Sequence, residues 1–414
     1  MKMKLHWQVL IAMFLGIGFA LIFKEKALIA APLGSIFMRL LKMVIVPLII
    51  FSITSGVASL GDSRTLGRMG AKTFAYYFLT SILAILLGLT LANLIKPGIG
   101  INLGQMGQVF DSSTLIKPNS LSDILTRMIP LNPLKAAADG DILAIIFWSI
   151  LFGFSITRLK GKSQIFLSNF FDSGFKAMMN LTQWIIKFLP IGVFGLISKA
   201  VATSGFDLFR AVGLYMITIT TGLLIHWAII LPLVFYFFTG IHPLKHLKAM
   251  ASAMITAFST SSSGATLPVT MNCVENNAGV SNKTTSFVLP LGATINMDGT
   301  ALYECAGVLF ITQVLGFDLN LTQQLVIVLT AFLASVGAAA IPSAGLVMIY
   351  VVLDAIGLGN HPEVDLIVGT MLAIDRPLDM FRTVVNVTSD SVGAVVIAKS
   401  EGEKNLYPEK SKVI

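Results

Sequence analysis

The sequence predicts an all-α, polytopic membrane protein, from its composition and from the lengths of its apolar runs. Hydrophobic residues fill 55% of the 414 positions and charged residues only 12%, at a mean hydropathy of +0.83, whereas a soluble domain is roughly one-quarter charged. Six apolar runs approach the roughly 20 residues that a helix needs to cross a bilayer: 7–23, 36–60, 73–95, 141–157, 180–202 and 211–239. No small-residue cleavage site clearly follows the first run, so we expect it to be a retained span.

The basic residues lie between the apolar runs, and their distribution argues against nucleic acid as a partner. The formal net charge is +8, but there is no basic patch interleaved with aromatic residues. Basic loops fix the orientation of membrane proteins, and with Lys2 and Lys4 they place both termini in the cytoplasm. The most basic connections hold Arg64, Arg68, Lys72, Arg158, Lys160, Lys162, Lys176, Lys245 and Lys248. Residues 96–140 are expected outside. Cys273 and Cys305 have no CxxC partner, which argues against a disulfide scaffold or a zinc site.

Two later apolar stretches are each interrupted in the middle by small, polar or helix-breaking residues. The first is 249–275, interrupted at 259–268, and the second is 322–358, interrupted at 337–345. Lipid tolerates such breaks only where the backbone is buried in protein or lines an aqueous cavity, so we expect two re-entrant hairpins. Because each is followed by an apolar stretch with polar groups, the order also indicates an inverted repeat, which secondary transporters use to build a site at the repeat interface.

The stretch 366–398 carries more charge than a membrane segment normally does. If it is a helix, five polar residues at spacings of 4, 3, 4 and 4 share one face: Asp375, Asp379, Arg382, Asn386 and Asp390. A buried charge costs a few kcal/mol in hydrocarbon, so such groups normally face a cavity and mark a solute or ion path. Arg376 lies six residues before Arg382 and is expected to be off this stripe.

Several motifs have two interpretations when each is taken alone. The serine-rich break SSSGATLP (261–268) suits close helix packing, or backbone amides at a helix end that hold a carboxylate. Asp298, in NMDGT, is either a protonated packing group or part of an oxygen cage for a hard cation, with unwound backbone at the adjacent glycine. The hydroxyls of Tyr77, Thr80 and Ser81 favour helix packing over ligand binding. The second break suits a flexible gate or a plain kink.

Taken together and in order, SSSGATLP, NMDGT, AAIPSAG and DMFRTVVNVTSD resemble the glutamate transporter family of dicarboxylate/amino acid:cation symporters, in a prokaryotic form. RLLKMVIVPLI, YYFLTS and LPIGVFGLI extend the resemblance over most of the chain. It implies a homotrimer in the cell inner (plasma) membrane, with eight transmembrane helices and two re-entrant hairpins per protomer. It also implies an elevator-type transporter in which a transport domain moves against a scaffold.

The resemblance implies domain boundaries as well. Scaffold helices 1 and 2 lie within 1–72, and the external loop with scaffold helices 4 and 5 within 97–205. Helix 3 (73–96) belongs to the transport domain with 206–398, which holds helix 6, hairpin 1, helix 7, hairpin 2 and helix 8. Residues 399–414 form a cytoplasmic tail.

Residue roles carried over from the family place a small amino acid and its coupling ions around the last helix. Arg382 matches the arginine for a side-chain carboxylate, a role suited to a planar guanidinium fork, and Asp379 matches the acid for the substrate amine. Further substrate contacts match Ser262, Ser263, Thr300, Gly345, Thr383 and Asn386. The resemblance also implies three Na⁺ sites. The first comprises Gly292, Asn296, Asn386 and Asp390, and the second comprises Tyr77, Thr80, Ser81, Asn296 and Asp298. The third comprises Thr294 with the backbone carbonyls of Ser335, Val336 and Ala338.

Two departures from the family pattern bear on specificity and coupling. Members that carry acidic substrates usually have a second arginine, but here its two usual positions hold Ser261 and Met380. Asp375 is then expected to hold Arg382 when the site is empty. Glu304 stands where animal glutamate carriers have a glutamate thought to move a proton, and its alternative role is a permanently protonated packing group.

The expected function is therefore Na⁺-coupled uptake of aspartate or glutamate, with H⁺ as a second coupling ion through Glu304. The rival within the family is a carrier of neutral amino acids, against which Arg382 argues, or of C4-dicarboxylates, against which Asp379 argues because it would face no amine. A different class, an intramembrane enzyme with Asp298 and Asp379 as an acid pair, leaves the broken hairpins and Arg382 without a role. A pure ion channel would show no saturable, Na⁺-dependent flux.

Overall fold

The computed structural model describes residues 5–58, 64–100, 126, 128–204, 207–337, 344–359, 361 and 363–408. Within these ranges the regular elements are all helical, as the composition predicts. Ala338 and most of the second break fall outside the described residues, as do both chain ends, so the expectations placed on them are not addressed by the structure.

The described residues of the first half of the chain form mainly long apolar helices. They are α1 (Leu5–Phe23), a 3₁₀ segment (Lys24–Ala30), α2 (Ala31–Ala58), α3 (Arg64–Ile95), α4 (Pro133–Asp139), α5 (Ile142–Thr157), α6 (Lys162–Ile186), α7 (Leu189–Ser204) and α8 (Asp207–Ile225). The short α4 begins where Asn132 accepts hydrogen bonds from the backbone amides of Leu134 and Lys135, a side-chain cap that defines its start.

The second half contains shorter helices and ends in the longest one. After a π-helical turn (His226–Ile230) come α9 (Leu231–Thr239), α10 (Pro243–Ala249), α11 (Ala251–Thr260), α12 (Ser263–Asn276), α13 (Asn282–Ile295), α14 (Asp298–Val314), α15 (Leu321–Gly337), α16 (Ala344–Ala355) and α17 (Val364–Ser400). The charged stretch thus lies on one helix, α17, as its periodicity predicts.

Three helical runs of the described chain are long and apolar enough to cross a membrane, Trp7–Ala58, Arg68–Ile95 and Leu208–Thr239, and α6 with α7 makes a fourth if the pair is one span. The span expected at 180–202 is not one continuous helix, because the junction between α6 and α7 falls within it. Helix α6 ends at Ile186 and α7 starts at Leu189, with a bend of 52° between the two helices. Apolar content continues across this bend, so hydropathy alone does not reveal it.

The helices pack in two groups that meet mainly where α7 packs on α17. In one group α2 packs against α5, α6 and α7, and α1 packs on α7. In the other, α14 packs along α3, and α17 packs on α8, α11, α13 and α14. A Cβ on Gly88 of α3 would lie 2.8 Å from the backbone oxygen of Leu302 in α14, so this close approach requires glycine. The polar face of α17 is thereby enclosed by protein.

Two breaks in this group expose backbone next to α17. Between α11 and α12, Ser261 adopts a left-handed conformation (φ 50°) and Ser262 caps α12 by accepting from the Ala265 amide. Between α13 and α14, Asn296 and Met297 leave helical geometry. The expected unwinding beside Asp298 therefore occurs on its N-terminal side, because Gly299 lies inside α14.

Candidate functional site

Arg382 is held by acidic residues of its own helix. Its Nη2 lies 2.5 Å from Asp379 Oδ1, and its Nη1 lies 3.7 Å from Asp375 Oδ1. The side chains of all three are at most 4% exposed. The sequence assigned Asp375 as the partner of Arg382, but the shorter contact is with Asp379. Arg382 Nη1 has no hydrogen-bond partner among the described residues, so the guanidinium keeps an unused donor in a dry site.

Its separation of six residues from Arg382 predicted that Arg376 lies off the binding stripe. In the structure Arg376 contacts Asp379, a residue of that stripe. Its Nη1 lies 3.5 Å from Asp379 Oδ2, so the Asp379 carboxylate has a guanidinium beside each oxygen. The prediction considered only the distance of Arg376 from Arg382. Asp379 is three residues from Arg376, and residues three apart are neighbours on a helix surface.

An aromatic ring supports the other side of Arg382. The guanidinium carbon lies 4.2 Å from the Tyr303 ring centroid, a cation–π geometry, and the Tyr303 hydroxyl donates to Asp375 Oδ1 at 3.0 Å. The next residue, Glu304, is fully buried, and neither of its carboxyl oxygens has a hydrogen-bond partner within the described part of the chain. A buried acid without a partner is stable only in its neutral form or as a transient charge.

Predicted substrate contacts lie around this cluster on four elements. Asn386 accepts from the Gly299 amide at 2.8 Å and donates to Thr300 Oγ1 at 3.2 Å, which ties α17 to the start of α14. Ser263 donates to the Ala293 carbonyl at 3.0 Å. A Cβ on Gly345 would lie 2.7 Å from Arg382 Nη1, so the first turn of α16 comes close to the guanidinium.

Two of the predicted substrate residues are occupied by local bonds. Thr383 donates to the Asp379 carbonyl one turn earlier, at 2.8 Å. Ser262 is the cap of α12, and its hydroxyl accepts from the Ala265 amide at 3.2 Å. The structure thus gives the Thr383 side chain an intrahelical bond and the Ser262 side chain a helix-capping bond.

Asp298 is the centre of a second buried cluster. Its Oδ1 accepts from Thr80 at 3.2 Å and from Ser81 at 2.8 Å, and its Oδ2 accepts from Ser389 at 2.7 Å. His226 Nε2 lies 3.1 Å from Oδ2, with both side chains fully buried. Five oxygen or nitrogen groups from α3, the π-turn, α14 and α17 thus converge within the protein.

Asn296, Gly292 and Asp390 form a third cluster next to the break between α13 and α14. The Asn296 amide donates to Asp390 Oδ1 at 2.9 Å, and Asn296 Oδ1 is buried with no hydrogen-bond partner in the described chain. A Cβ on Gly292 would lie 2.6 Å from both Asp390 Oδ1 and the Tyr77 hydroxyl. Tyr77 therefore belongs beside Asp390, whereas the sequence grouped it with Asp298. Oxygen donors around a cradle that only glycine leaves open fit a hard cation such as Na⁺.

The third expected ion site is only partly described. Thr294 and Val336 line one cavity of about 320 Å³, which also touches Ser55 of α2 and Asp172 of α6. Ser335 donates to the Phe332 carbonyl at 2.8 Å. Thr294 and Val336 thus line the same cavity, and Ala338 lies outside the described residues.

Sequence reasoning missed His226, Ser389, Tyr303 and the Asp379 contact of Arg376. A signal existed for His226, because an ionisable residue in the apolar run LLIHWAII is a functional candidate by itself. Ser389 precedes the assigned Asp390, and Tyr303 precedes the assigned Glu304. Their roles depend on which neighbouring helix they face, which requires the packing of α14 and α17.

Buried, opposed charges beside oxygen clusters on broken helices define a membrane carrier of charged solutes and cations, not a structural bundle. The chain matches the model of the sodium:dicarboxylate symporter family over residues 5–400, and it belongs to that family. This result confirms the resemblance seen in the sequence and identifies a transporter, not an enzyme.

The chain is similar to transporters from animals and bacteria. Excitatory amino acid transporter 3 of Homo sapiens is 37% identical over 425 residues, which cover 91% of this chain and 80% of that protein. The proton/sodium-glutamate symport protein of Geobacillus stearothermophilus is 34% identical over 419 residues, which cover 99% of this chain and 97% of that protein. An excitatory amino acid transporter of Caenorhabditis elegans is 35% identical over 88% of this chain and 80% of its own length.

Proposed function

We propose that this protein is a secondary active symporter that takes up an acidic amino acid, aspartate or glutamate, together with Na⁺ and H⁺. The observation that carries the proposal is the buried Arg382 guanidinium with an unused donor, next to the buried Asp379 carboxylate. An acidic amino acid offers a carboxylate to the first and an ammonium to the second. The name of the bacterial relative gives glutamate with protons and sodium, and the animal relatives are excitatory amino acid transporters; both support the proposal.

Binding of the substrate replaces the internal Arg382–Asp379 pair with two new pairs. A carboxylate can take both guanidinium nitrogens in a bidentate contact, which is stronger than a single hydrogen bond. Asp379 is then released toward the amine. Thr300 and Asn386, which already bond to each other across α14 and α17, lie at the position for the remaining polar atoms.

The Na⁺ ions are proposed to bind at the Asp298 cluster and at the Asn296–Asp390 cluster, with a third ion at Thr294 closed by the second hairpin. The buried, unpartnered Asn296 Oδ1 supports the second assignment, since it is an oxygen aimed at no protein donor in the described chain. H⁺ is proposed to travel on Glu304, whose buried carboxyl lacks a protein partner there.

The finer architecture is part of the same proposal: eight transmembrane helices and two re-entrant hairpins in each protomer of a homotrimer in the plasma membrane, with both termini cytoplasmic. The scaffold comprises 1–72 and 97–205, and the transport domain 73–96 and 206–398, followed by a tail at 399–414. The packing of α2 against α5, α6 and α7, and of α1 against α7, supports this division, and α7 joins this group to α17. The transport domain would carry the site across by an elevator motion.

Equilibrium binding of aspartate to the purified protein tests the proposal. We expect binding in NaCl that is absent in choline chloride, and about 100-fold or more weaker in Arg382→Ala, because a buried carboxylate loses its charged partner. Arg158→Gln, which removes an exposed arginine over Phe154, is the matched control. Competition by serine, alanine and succinate separates the family rivals. Binding of neutral amino acids without aspartate or glutamate would show the substrate assignment to be wrong.

A further inference from the structure

Asp379 lies midway between two arginines on α17. Arg376, Asp379 and Arg382 follow one another at intervals of three residues, and the two contacts use different carboxylate oxygens. The Arg382 contact is 2.5 Å and buried, whereas the Arg376 contact is 3.5 Å and the Arg376 side chain is 20% exposed. Arg376 Nε is also buried without a hydrogen-bond partner among the described residues, so this guanidinium has donor capacity to spare.

The two arginines must behave differently when a substrate binds. A substrate carboxylate competes with Asp379 for Arg382, and Asp379 then loses its shorter contact. A carboxylate in a site this dry needs a cation, since an uncompensated buried charge is strongly unfavourable. Among the described residues, the Arg376 guanidinium lies beside Asp379 Oδ2 and stays there when the substrate carboxylate takes Arg382. The ammonium of the substrate would supply another cation.

We propose that Arg376 is a positioning residue that sets how strongly recognition depends on the substrate's amino group. This inference rests on the proposed function. Because Arg376 compensates Asp379 whether or not an amine is present, a dicarboxylate that lacks the amine is disfavoured less than Asp379 alone would make it. Without the Arg376 charge, compensation of Asp379 depends more strongly on the substrate ammonium, and discrimination between aspartate and succinate increases.

The measured quantity is the ratio of the inhibition constant of succinate to the KM of aspartate, for Na⁺-driven aspartate uptake into proteoliposomes. We expect this ratio to rise about tenfold in Arg376→Gln, a modest factor because the partly exposed pair is screened by water. Arg376→Lys, which keeps the charge, should return the ratio to within about threefold of wild type. Arg158→Gln serves as the control arginine away from the site.

A purely structural role of Arg376 would change the uptake of both compounds in parallel and leave the ratio unmoved. An unchanged ratio in Arg376→Gln, with wild-type aspartate uptake intact, therefore overturns the inference alone. Absence of Na⁺-dependent aspartate uptake by the wild type would overturn the proposed function and the inference together. Size-exclusion elution checks folding, and Arg376→Met provides a second neutral replacement if the glutamine variant does not fold.

Discussion

The hydroxyl of Tyr303 donates a 3.0 Å hydrogen bond to Asp375 Oδ1, and the ring that carries this hydroxyl lies 4.2 Å from the Arg382 guanidinium carbon. The Tyr303 side chain on α14 thus contacts both an acidic residue, Asp375, and a cationic residue, Arg382, of α17. The hydroxyl satisfies an oxygen of Asp375 that would otherwise attract Arg382 more strongly, and the ring fixes the plane in which the guanidinium presents its donors.

Removing only this hydroxyl should weaken substrate binding. Tyr303→Phe keeps the ring and its cation–π contact but leaves Asp375 Oδ1 without this donor, so Asp375 competes better with the substrate carboxylate for Arg382. We expect the Kd of aspartate to rise about three- to tenfold, the effect of roughly one hydrogen bond. Tyr303→Leu removes the ring as well and should bind more weakly still. Equal affinities of wild type and Tyr303→Phe would show that the bond has no part in setting the Arg382 position.

The cluster at Asp298 predicts which substitutions change the Na⁺ dependence. Ser81→Ala removes one of the hydroxyls bonded to Asp298 Oδ1, and Asp298→Asn removes the charge. We expect the Na⁺ concentration for half-maximal aspartate binding to rise several-fold in Ser81→Ala and at least about tenfold in Asp298→Asn. The second effect is larger because a charged carboxylate attracts a cation more strongly than one neutral hydroxyl does.

A buried serine outside the cluster is the control for this test. Ser198→Ala removes a hydroxyl that bonds to the Phe194 carbonyl within α7, and it should leave the Na⁺ dependence unchanged. If Asp298→Asn kept the wild-type Na⁺ dependence while aspartate still bound, the assignment of an ion to this cluster would have to be abandoned.

The sequence predicted the parts of the site that depend on one helix at a time. The spacing of Asp379, Arg382 and Asp390 placed them on one face of α17, and the break near residue 261 followed from small and helix-breaking residues. The unwinding next to Asp298 was expected at Gly299 but lies at Asn296 and Met297. Contacts between helices were beyond its reach. Nothing in the order of residues places His226 against Asp298, 72 positions away, or shows that apolar helices α6 and α7 bend.

Proton coupling can be tested at Glu304. If its carboxyl enters the loaded state with a proton, net uptake requires protonation from outside and should fall as external pH rises. Glu304→Gln keeps the shape of the neutral acid, so we expect Na⁺-dependent exchange to continue while net uptake loses its pH dependence. Parallel assays of exchange and net uptake in proteoliposomes between about pH 5.5 and pH 8.5, a range of roughly 1.5 units on either side of neutral, separate the two outcomes. Wild-type pH dependence in the variant would leave Glu304 as a packing group.

Two carboxyl groups after α17, those of Glu401 and Glu403, indicate how the stability of the fold changes at acidic pH. Burial opposes ionisation of Glu403, but hydrogen bonds from the Ser281 hydroxyl, the Ser281 amide and the Thr284 hydroxyl outweigh it and lower the pKa of Glu403 below its usual value. Ser281 caps α13, so the carboxylate also sits at the positive end of that helix dipole. Glu401 accepts hydrogen bonds from Arg68 and Lys72. The bond from Arg68 contributes most, followed by the bond from Lys72, and together they lower the pKa of Glu401 below its usual value.

A carboxyl whose pKa is lower in the folded state contributes stability above its unfolded value of about 4.3 and loses it as the pH falls through the folded pKa. The melting temperature of the purified wild type should therefore drop on acidification below about pH 4.3, whereas Glu403→Gln should start lower at pH 7 and drop less. The difference at pH 7 is expected to be about 1 kcal/mol, the net contribution of a hydrogen bond. Glu25→Gln, at an exposed position of the 3₁₀ segment, is the control. Because Glu403 joins the end of α17 to the start of α13, an identical acid response in Glu403→Gln and wild type would mean that this link does not hold the two helices together.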